Sequence, residues 1–426
     1  MSTPRREFLR TAAAASSITF IPSWLRAGIN GYSPNAQLNI GVIGTGKQAN
    51  GLANRLIGME EARIVAGCDV YGAKLQHFTK SVSEKYAEKG GSSSQEIKEY
   101  KDYRDLIAHP GLDAVLIATP DHQHAAMCTA ALERGLHVYC EKPLAHTIEE
   151  GRAIVDATDK SGKVLQTGSM QRSMRPFRKA VELIQKGALG EMQEAIVSIG
   201  PPPKAYDLPE ETMPASLDWE AWVGPSVTRP YNHLVAPGIG EKHWAKWRDY
   251  AEYGGGMVTD WGAHMFDIVQ WALGKDDSGP IQFFPPGGKN PQQGLTMFYE
   301  DGFRVEHRNF GRGNAIRFIG SEGTIEVARG FINCSIPGLV GYQDTNQASK
   351  VSVNVVHFQD FFDAIKNGSE PICPAETGHR SSSVCTLTNI AYRLRRPIMW
   401  DPKTEKIKGD REANKLLGPA YRNTLA

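Results

Sequence analysis

A glycine-rich turn between an apolar segment and a helix-like segment constrains the fold more than any other feature of this sequence. The apolar run from Leu38 to Ile43 leads into Gly44-x-Gly46-x-x-Ala49. In a strand–turn–helix unit that binds a dinucleotide, the first glycine allows a tight turn, and the second lets the backbone approach a pyrophosphate at the helix N-terminus. A small third residue allows the helix to pack closely on the strand. We therefore predict a nucleotide-binding α/β domain, the alternative being a glycine turn in another kind of α/β domain.

A second apolar run ends in an acidic residue. Asp69 lies twenty residues after the last small residue of the glycine turn. A carboxylate at this position receives the ribose hydroxyls of NAD and repels the 2′-phosphate of NADP. Val70 and Tyr71 supply no arginine beside it, although Lys74 is a cation nearby. We therefore predict NAD as the cofactor.

Strand-like and helix-like segments alternate from Leu38 to about Gly168, which is typical of a doubly wound parallel sheet. In such sheets ligands bind beyond the carboxyl ends of the strands, where residues 119–122 and 141–143 are expected. The predicted strands are 38–43, 62–69, 113–119, 137–140 and 163–168, and the predicted helices are 73–89, 103–107, 123–134 and 147–161, with a flexible loop at 90–94.

From Gln171 the pattern changes to that of an α+β domain. We predict a helix at 176–186, a strand at 192–199 and a long irregular stretch at 201–253. Glycine turns separate four further strands, which indicates a meander forming an open, mostly antiparallel sheet with one apolar face. Helices at 355–366 and 376–393 follow, and the last is expected to return toward the first domain. The further strands are 294–299, 303–309, 315–319 and 324–327.

The N-terminus resembles an export signal rather than part of the fold. Arg5 and Arg6 precede Phe8-Leu9 and a mildly apolar stretch from Thr11. This is the pattern of a twin-arginine signal, and it predicts an exported, periplasmic protein. An ordinary basic amphipathic start is the alternative. The predicted domains are a signal peptide at 1–31, an NAD-binding domain at 34–168, a substrate-binding domain at 169–400 and a tail at 401–426.

Composition excludes several other classes of function. The formal net charge is +1, which does not suggest a nucleic-acid partner, and no apolar run is long enough for a transmembrane helix. The six cysteines show no C-x-x-C spacing. A disulfide among Cys334, Cys373 and Cys385 stays open at this point.

Three motifs together resemble the Gfo/Idh/MocA oxidoreductase family. They are the glycine turn, Ala118-Thr-Pro-Asp-His-Gln-His124 with Glu141-Lys142-Pro143, and Gly254-Gly-Gly-Met-Val-Thr-Asp260-Trp-Gly-Ala-His264. The resemblance implies a carbohydrate or polyol substrate and a homo-oligomer formed through the C-terminal sheet, whose second face would also contact the nucleotide domain. The implied cofactor-binding residues are Gly44, Thr45, Gly46, Lys47, Gln48, Asp69, Thr119, Pro120, His122, His124, Glu141 and Lys142.

Lys142, Asp260 and His264 are the candidate catalytic residues. The resemblance places Lys142 beside the nicotinamide and the reacting hydroxyl, where an ammonium stabilises developing negative charge. The i, i+4 spacing puts Asp260 and His264 on one face of a helix expected to start near Asp260. His264 would act as general base, and Asp260 would orient it or bind a hydroxyl. A helix N-cap and a core histidine are the structural alternatives. For His122 and His124, a structural role and a role near the nicotinamide ribose are both open, and Asp121 could simply cap a helix.

Aromatic residues are dense between positions 219 and 261, and sugar rings stack on such side chains. A long loop with its own small core would also explain them. A metal site at His233, His243 and His264 has no supporting spacing, so we predict none. The candidate substrate-binding residues are Lys142, Trp244, Trp247, Arg248, Tyr253, Asp260 and His264.

Hydride transfer from a secondary alcohol is the predicted reaction. An exported enzyme would have to recycle a bound cofactor within its site, either by oxidising one sugar and reducing another or by redox-neutral glycoside cleavage. The second route proceeds by transient oxidation, elimination of the aglycone, hydration and re-reduction. It needs a further acid–base group, for which Tyr253, His243 and Glu252 are candidates. A plain dehydrogenase and a catalytically silent sugar-binding protein remain as alternatives.

Overall fold

The computed structural model describes residues 37–89, 96–289, 291–345, 347 and 351–419 of the 426-residue chain. The predicted signal peptide at 1–31 and the predicted loop at 90–94 lie outside these ranges. The predicted fold class is confirmed, because a parallel sheet with helices precedes a domain built on a large mixed sheet. No helix in the described ranges is both long enough and apolar enough to cross a membrane.

The first sheet contains six parallel strands. They are β1 (Leu38–Ile43), β2 (Ala62–Cys68), β3 (Lys98–Tyr100), β4 (Ala114–Ile117), β5 (His137–Cys140) and β6 (Leu165–Thr167). Their order in the sheet is β3-β2-β1-β4-β5-β6. Every residue of β4 is buried, as expected where helices cover both faces of a parallel sheet. The sequence analysis missed β3, because Lys98-Glu99-Tyr100 has no buried residue and hence no apolar pattern.

The helices between these strands lie within one residue of their predicted bounds. They are α1 (Lys47–Leu56), for which no bounds were predicted, α2 (Gly72–Glu88), α3 (Tyr103–Ile107), α4 (His124–Glu133) and α5 (Ile148–Ser161). α5 begins with a capping box, in which Thr147 Oγ1 accepts from the Glu150 amide at 3.3 Å and Glu150 Oε2 accepts from the Thr147 amide at 3.0 Å. Local sequence therefore sets these boundaries.

The second sheet has nine strands in the order β13-β12-β11-β7-β10-β9-β8-β14-β15 when its strands are numbered along the chain. The strands are β7 (Met192–Ser198), β8 (Gln282–Phe284), β9 (Thr296–Phe298), β10 (Arg304–His307), β11 (Ala315–Gly320), β12 (Thr324–Ala328), β13 (Phe331–Cys334), β14 (Ile398–Asp401) and β15 (Lys406–Ile407). The predicted single meander is wrong, because β7 lies between β10 and β11 and runs parallel to β10. Strand order depends on contacts between distant segments, which alternation of apolar residues does not encode. Four strands, β8, β13, β14 and β15, were not predicted.

Helices cover the apolar face of this sheet. They are α6 (Arg175–Gln185), α9 (Gly262–Ala272) and α11 (Ala375–Leu394), with the short α8 (Gly256–Asp260) before α9 and α12 (Arg411–Asn414) near the end. Phe177, Phe266 and Phe318 lie in the shared core, each at most 1% exposed. Burying these helix and strand faces together provides the main stabilisation of the domain.

Two late helices return to the first domain. The predicted return of α11 is confirmed, because Ser382 Oγ accepts a hydrogen bond from the Leu144 amide at 3.0 Å. Helix α10 (Val353–Asn367) packs Phe358, Phe361 and Phe362 into the core of the first sheet. The resemblance implied that the second face of the C-terminal sheet contacts the nucleotide domain, which is wrong. The helices on the apolar face make this contact.

The irregular stretch crosses the first domain as a strap, which we define as residues 203–253. It includes α7 (Trp219–Val223) and has its own core of aromatic residues. The Gly72 amide donates to the Ser216 carbonyl at 2.7 Å, and the Asp218 amide donates to the Val70 carbonyl at 3.0 Å. The strap therefore lies against the end of β2, where the ribose-binding acid was predicted.

All six cysteines lie in the described residues, and none forms a disulfide. Cys373 and Cys385 are fully buried and Cys334 is partly exposed. These three cysteines therefore form no disulfide in this structure.

Candidate active site

A cavity of about 1000 Å³ lies at the carboxyl ends of the parallel strands, between the first sheet, the strap and helices α8 and α9. Ligands of doubly wound sheets bind at this edge. Most of the predicted site residues line the cavity, namely Gly44, Gly46, Lys47, Gln48, Asp69, Thr119, Pro120, Glu141, Lys142, Trp244, Trp247, Arg248, Asp260 and His264. Thr45, His122, His124 and Tyr253 do not line it.

The glycine turn fits a bound dinucleotide. Gly44 has a φ of +81°, and a Cβ there would lie 2.8 Å from Thr119 Cγ2, so a larger residue is excluded. A Cβ on Gly46 would meet nothing within 4 Å, so this face of the turn is open. No side chain caps the N-terminus of α1, which leaves its first amides for an anion.

Asp69 lies over the same turn. Its carboxylate accepts hydrogen bonds from the Thr45 amide at 2.7 Å, from Thr45 Oγ1 at 3.0 Å and from the Tyr71 amide at 2.9 Å. Thr45 is 1% exposed and therefore orients Asp69 rather than facing the cavity, which corrects its predicted role in binding the cofactor. Lys74 also lines the cavity, and burial lowers its pKa.

The strap closes over the start of α1. Lys47 Nζ donates to the Lys242 carbonyl at 2.8 Å and lies 4.8 Å from the centre of the Trp244 ring. Trp244 is 51% exposed although it lines the cavity. A basic side chain and an exposed indole thus join the two walls of the nucleotide cleft.

Lys142 and Asp260 form the centre of the site. Lys142 Nζ donates to Asp260 Oδ1 and to the Asp260 carbonyl oxygen, each at 2.7 Å. Arg248 Nε lies 3.4 Å from the same carboxylate oxygen. Burial opposes ionisation of Asp260, but the charges of Lys142 and Arg248 outweigh it and hold the pKa of this carboxyl below its usual value.

His264 lies on α9, one turn beyond Asp260. The predicted helix starting near Asp260 is wrong in detail, because α8 ends at Asp260 and α9 begins after Trp261. Neither ring nitrogen of His264 has a hydrogen-bond partner among the described residues, and Nδ1 is buried. Burial first, and then the charges of Lys142 and Arg329, hold the pKa of His264 well below its usual value. The imidazole is therefore neutral near pH 7.

Asp121 and Arg329 line the cavity, although the sequence analysis assigned neither of them to the site. Asp121 is 4% exposed, and its carboxyl has no hydrogen bond to another described side chain. Burial, with a smaller contribution from Asp260, raises the pKa of Asp121 to about 8, although Lys142 and Arg248 oppose the shift. Arg329 reaches the cavity from the turn between β12 and β13. It lies 65 residues after His264 and outside all three motifs, so no sequence signal pointed to it.

His122 and His124 are structural rather than cofactor-binding residues. The ring nitrogens of His122 contact the carbonyl oxygens of Tyr253 at 3.3 Å and Trp222 at 3.1 Å. Those of His124 contact the carbonyl oxygens of Pro143 at 2.8 Å and Thr119 at 3.1 Å. Burial lowers the pKa of His122 to about 3 and that of His124 to about 4. These neutral rings hold the loops at the ends of β4 and β5 in place.

The aromatic residues are divided between the cavity and the core of the strap. Tyr253 is fully buried, and its hydroxyl donates to the Val227 carbonyl at 3.4 Å, so its predicted contact with substrate is wrong. Trp247 is 7% exposed and packs beneath Arg248, whose guanidinium carbon lies 4.2 Å from the ring centre. Most of the predicted sugar-binding wall is therefore a loop core.

The candidates for a further acid–base group differ in their position relative to the cavity. Glu252 is bound to Arg229 at 2.7 Å outside the cavity, whereas His243 lines it. His243 lies 6.2 Å from His233, measured between ring centres. In the described ranges, no three His, Cys, Asp or Glu side chains are grouped to hold a metal ion.

Comparison with known proteins gives family matches for both domains. A profile of the oxidoreductase family, NAD-binding Rossmann fold, matches residues 38–169, and a profile of the oxidoreductase family, C-terminal alpha/beta domain, matches residues 204–426. Both profiles are of the GFO/IDH/MocA type. The chain is 25% identical over 373 residues to inositol 2-dehydrogenase of Salmonella typhimurium, a match that covers 82% of this chain and 88% of that protein.

Solved structures share the fold. An aldose-aldose oxidoreductase from Caulobacter crescentus, in complex with glycerol, superimposes with a TM-score of 0.62 at 18% identity, covering 85% of this chain and 99% of that chain. The WlbA dehydrogenase from Bordetella pertussis, in complex with NADH and UDP-GlcNAcA, gives a TM-score of 0.60 at 17% identity, covering 86% and 99%.

Proposed function

Because the chain belongs to the Gfo/Idh/MocA oxidoreductase family, we propose that it is an NAD-dependent enzyme that oxidises a secondary hydroxyl of a sugar, polyol or glycoside. The observation that carries this proposal is the ion pair of Lys142 and Asp260 in the cavity beside the unpartnered His264. These three side chains can hold a hydroxyl oxygen and remove its proton. A catalytically silent sugar-binding protein would not need this pairing of an ammonium and a free base.

Lys142 would hold the reacting oxygen. An ammonium has three donors, and Asp260 accepts two of them, so one remains for substrate. The ionised Asp260 fixes the direction of that donor, and the positive charge stabilises the oxygen as its proton leaves. The same contact positions the reacting carbon relative to the cofactor.

His264 would accept the proton. With the imidazole proton on Nδ1, the Nε2 lone pair is available to a hydroxyl in the cavity. A low pKa means that the ring is already deprotonated when substrate arrives. The proton then leaves the hydroxyl for Nε2 while Lys142 holds the oxygen.

NAD, when bound, would accept the hydride that leaves the substrate carbon. The glycine turn and the first amides of α1 would hold its pyrophosphate, and Asp69 would accept from its ribose hydroxyls. Glu141 and Thr119, at the ends of β5 and β4, line the remainder of the cleft. The fixed carboxylate of Asp69 is what favours NAD over NADP here.

We also propose that the protein is exported through the signal at residues 1–31 with its cofactor bound. The closure of the strap over the start of α1 by Lys47 and Trp244 supports slow release of a dinucleotide. An enzyme outside the cytoplasm then needs redox balance within the site, as sugar–sugar exchange provides. Replacing Arg5-Arg6 by Lys-Lys should keep the protein in the cytoplasm, and unchanged export would contradict this part of the proposal.

Redox-neutral glycoside cleavage is a second candidate, and Asp121 is the observation that favours it. A buried carboxyl that keeps its proton at neutral pH is suited to protonate a departing aglycone oxygen. Lys142 and His264 would have the same roles as before.

The first experiment is cofactor release from protein purified without added nucleotide. After denaturation, the supernatant is assayed for NAD and NADP. Holoprotein is then given sugars, polyols and nitrophenyl glycosides, with reduced nicotinamide and nitrophenol both followed. Net reduction supports the dehydrogenase, and nitrophenol release without net reduction supports the second candidate. Absence of turnover and of bound nucleotide would overturn both.

A further inference from the structure

Arg329 is a cation of the cavity that lacks a counterion. It lies in the turn between β12 and β13, and its guanidinium carbon is 4.5 Å from the centre of the Trp261 ring. No carboxylate of the described residues lies within 4.0 Å of it. The two carboxylates whose charges act on Arg329 have other partners: Glu141 accepts from Gln48 Nε2 at 3.0 Å, and Asp260 is shared between Lys142 and Arg248. The guanidinium thus has no acidic partner of its own.

The position of Arg329 is fixed by its neighbours. Its Nε donates to Gln171 Oε1 at 3.0 Å, and Gln171 is fully buried. The amide of Gln171 is in turn held by the His264 carbonyl at 3.5 Å. Stacking on Trp261 fixes the plane of the guanidinium. Arg329 is exposed to solvent, but Gln171 and Trp261 fix the orientation of its guanidinium, and two of its nitrogens are left for a ligand.

A ligand bound by Arg329 would lie at the substrate end of the cavity. Trp261 packs edge-to-face on His264, with ring centres 5.8 Å apart, so the guanidinium lies beside the candidate base. The phosphates of a dinucleotide would bind at the glycine turn and the start of α1, which are formed by other residues. A cofactor phosphate is therefore not the counterion.

We propose that the substrate is a sugar acid whose carboxylate is bound by Arg329. This inference rests on the proposed function and narrows its substrate class to uronates, aldonates and their glycosides. A planar guanidinium binds a carboxylate through two parallel hydrogen bonds. A single free guanidinium matches the single charge of a carboxylate, whereas a phosphate monoester carries nearly two charges at pH 7.

Binding of matched acid and neutral sugars to the NAD-loaded protein tests this inference. The pairs are D-glucuronate with D-glucose, D-galacturonate with D-galactose and D-gluconate with D-glucitol, and glucose 6-phosphate is a third arm. Calorimetry at pH 7 measures affinity, and absorbance of reduced nicotinamide measures turnover. We expect at least one acid to bind about tenfold or more tightly than its neutral partner, because only the acid forms charge-assisted hydrogen bonds with Arg329.

Substitutions test whether Arg329 is the cause of a preference for acidic over neutral sugars. Arg329→Gln should reduce the ratio of acid to neutral affinity to near one while NAD binding stays unchanged, and Arg329→Lys should retain part of it. Arg55→Gln removes an equal charge from an exposed position on α1 and should leave the ratio unchanged. Since Arg329 is in an exposed turn, the variants are expected to fold, which thermal unfolding checks.

Any of four other outcomes would overturn the inference. These outcomes are tighter binding of the neutral member in every pair, no acid binding, a preference for the phosphate, or an acid preference that survives in Arg329→Gln. The proposed function fails separately. Turnover of neutral sugars alone would support the proposed oxidoreductase function and exclude a sugar acid as substrate. Acid binding that depends on Arg329, without nicotinamide reduction, would support the acid site and contradict the proposed function.

Discussion

Two carboxyl groups of the cavity, those of Asp260 and Asp121, differ in ionisation. Asp260 is ionised because Lys142 and Arg248 flank it, whereas Asp121, close enough to sense all three, keeps its proton. Two carboxyls in one cavity therefore differ in charge because of what they contact, and not because of their type. Sequence spacing identified the ionised one and treated the other as a helix cap.

Removing the ammonium group of Lys142 tests its assignment as the catalytic residue that holds the reacting oxygen. Lys142→Met should lower kcat by about 10²–10³-fold, the usual cost of removing one donor to a developing oxyanion. The amount of NAD that copurifies should be unchanged, because Lys142 is paired with Asp260 and not with the glycine turn. Lys160→Met, at an exposed position of α5, is the control. Wild-type turnover in Lys142→Met would show that the assignment is wrong.

The buried carboxyl of Asp121 should make stability depend on pH. Its pKa is about 8 in the folded chain against 3.8 for a free group. Between these values the folded state holds a proton that the unfolded state has lost, so stability falls as pH rises from about 4 to 8. Asn cannot titrate, so Asp121→Asn should become more stable relative to wild type as pH rises through this window.

Thermal unfolding at pH 5 and pH 8 measures that difference. The gap in Tm between Asp121→Asn and wild type should be larger, in favour of the variant, at pH 8. Asp159→Asn, on the exposed side of α5, should show no such change. A gap that is equal at both values would mean that Asp121 is ionised in the folded chain.

At the scale of elements, the strap and the break between α8 and α9 decide the geometry of the site. The break turns the chain after Asp260, so that the carboxylate meets Lys142 while His264 lies one turn further along. The strap covers the cleft from the other side and buries its own aromatic residues. The elements that bind cofactor and substrate are thus fixed by separate contacts.

Trp244 tests the role of the strap in retaining the dinucleotide. Trp244→Ala removes the indole beneath Lys47 and Arg248 and should increase the rate of NAD release about tenfold, since a partly desolvated cation–π contact contributes about 1–2 kcal/mol. Stopped-flow displacement by excess unlabelled nucleotide measures the rate. Tyr342→Ala, which also removes an exposed aromatic ring but away from the cavity, serves as control. An unchanged rate would exclude the strap as a barrier to release.

At the scale of the whole molecule, the second sheet has one face that no helix of the described residues covers. Its centre carries ion pairs such as Arg304–Glu194 at 2.8 Å and Arg317–Glu326 at 2.6 Å. Toward the β8 and β14 edge, Phe284 packs edge-to-face on Phe298, and Met399 is 39% exposed. A surface with an apolar patch beside ion pairs is suited to association with a second copy of the chain.

We therefore expect a homo-oligomer formed through this face. Light scattering coupled to size-exclusion chromatography should give a multiple of the chain mass. Met399→Asp should shift the equilibrium toward the monomer, because it places a charge in the contact. Met213→Asp introduces the same change at an exposed position of the strap and should not shift it. A monomeric wild-type protein would show that the prediction is wrong.

The glycine turn, the buried strands and the lysine motif predicted the first domain and most of the cofactor cleft, because these features depend on residues that are close in sequence. Gly44 is required by its own φ angle and by its contact with the next strand loop. The burial of Tyr253 depends on how the strap folds on itself, and the order of the second sheet and the contacts of His122 with backbone carbonyls depend on residues about 100 or more positions away. The same is true of Arg329 and of the protonation of Asp121. By itself, the sequence determined the fold class and the residues capable of chemistry. Only the tertiary structure decided which of them face the cavity and which carry charge, because burial and ionisation depend on neighbours brought together by folding.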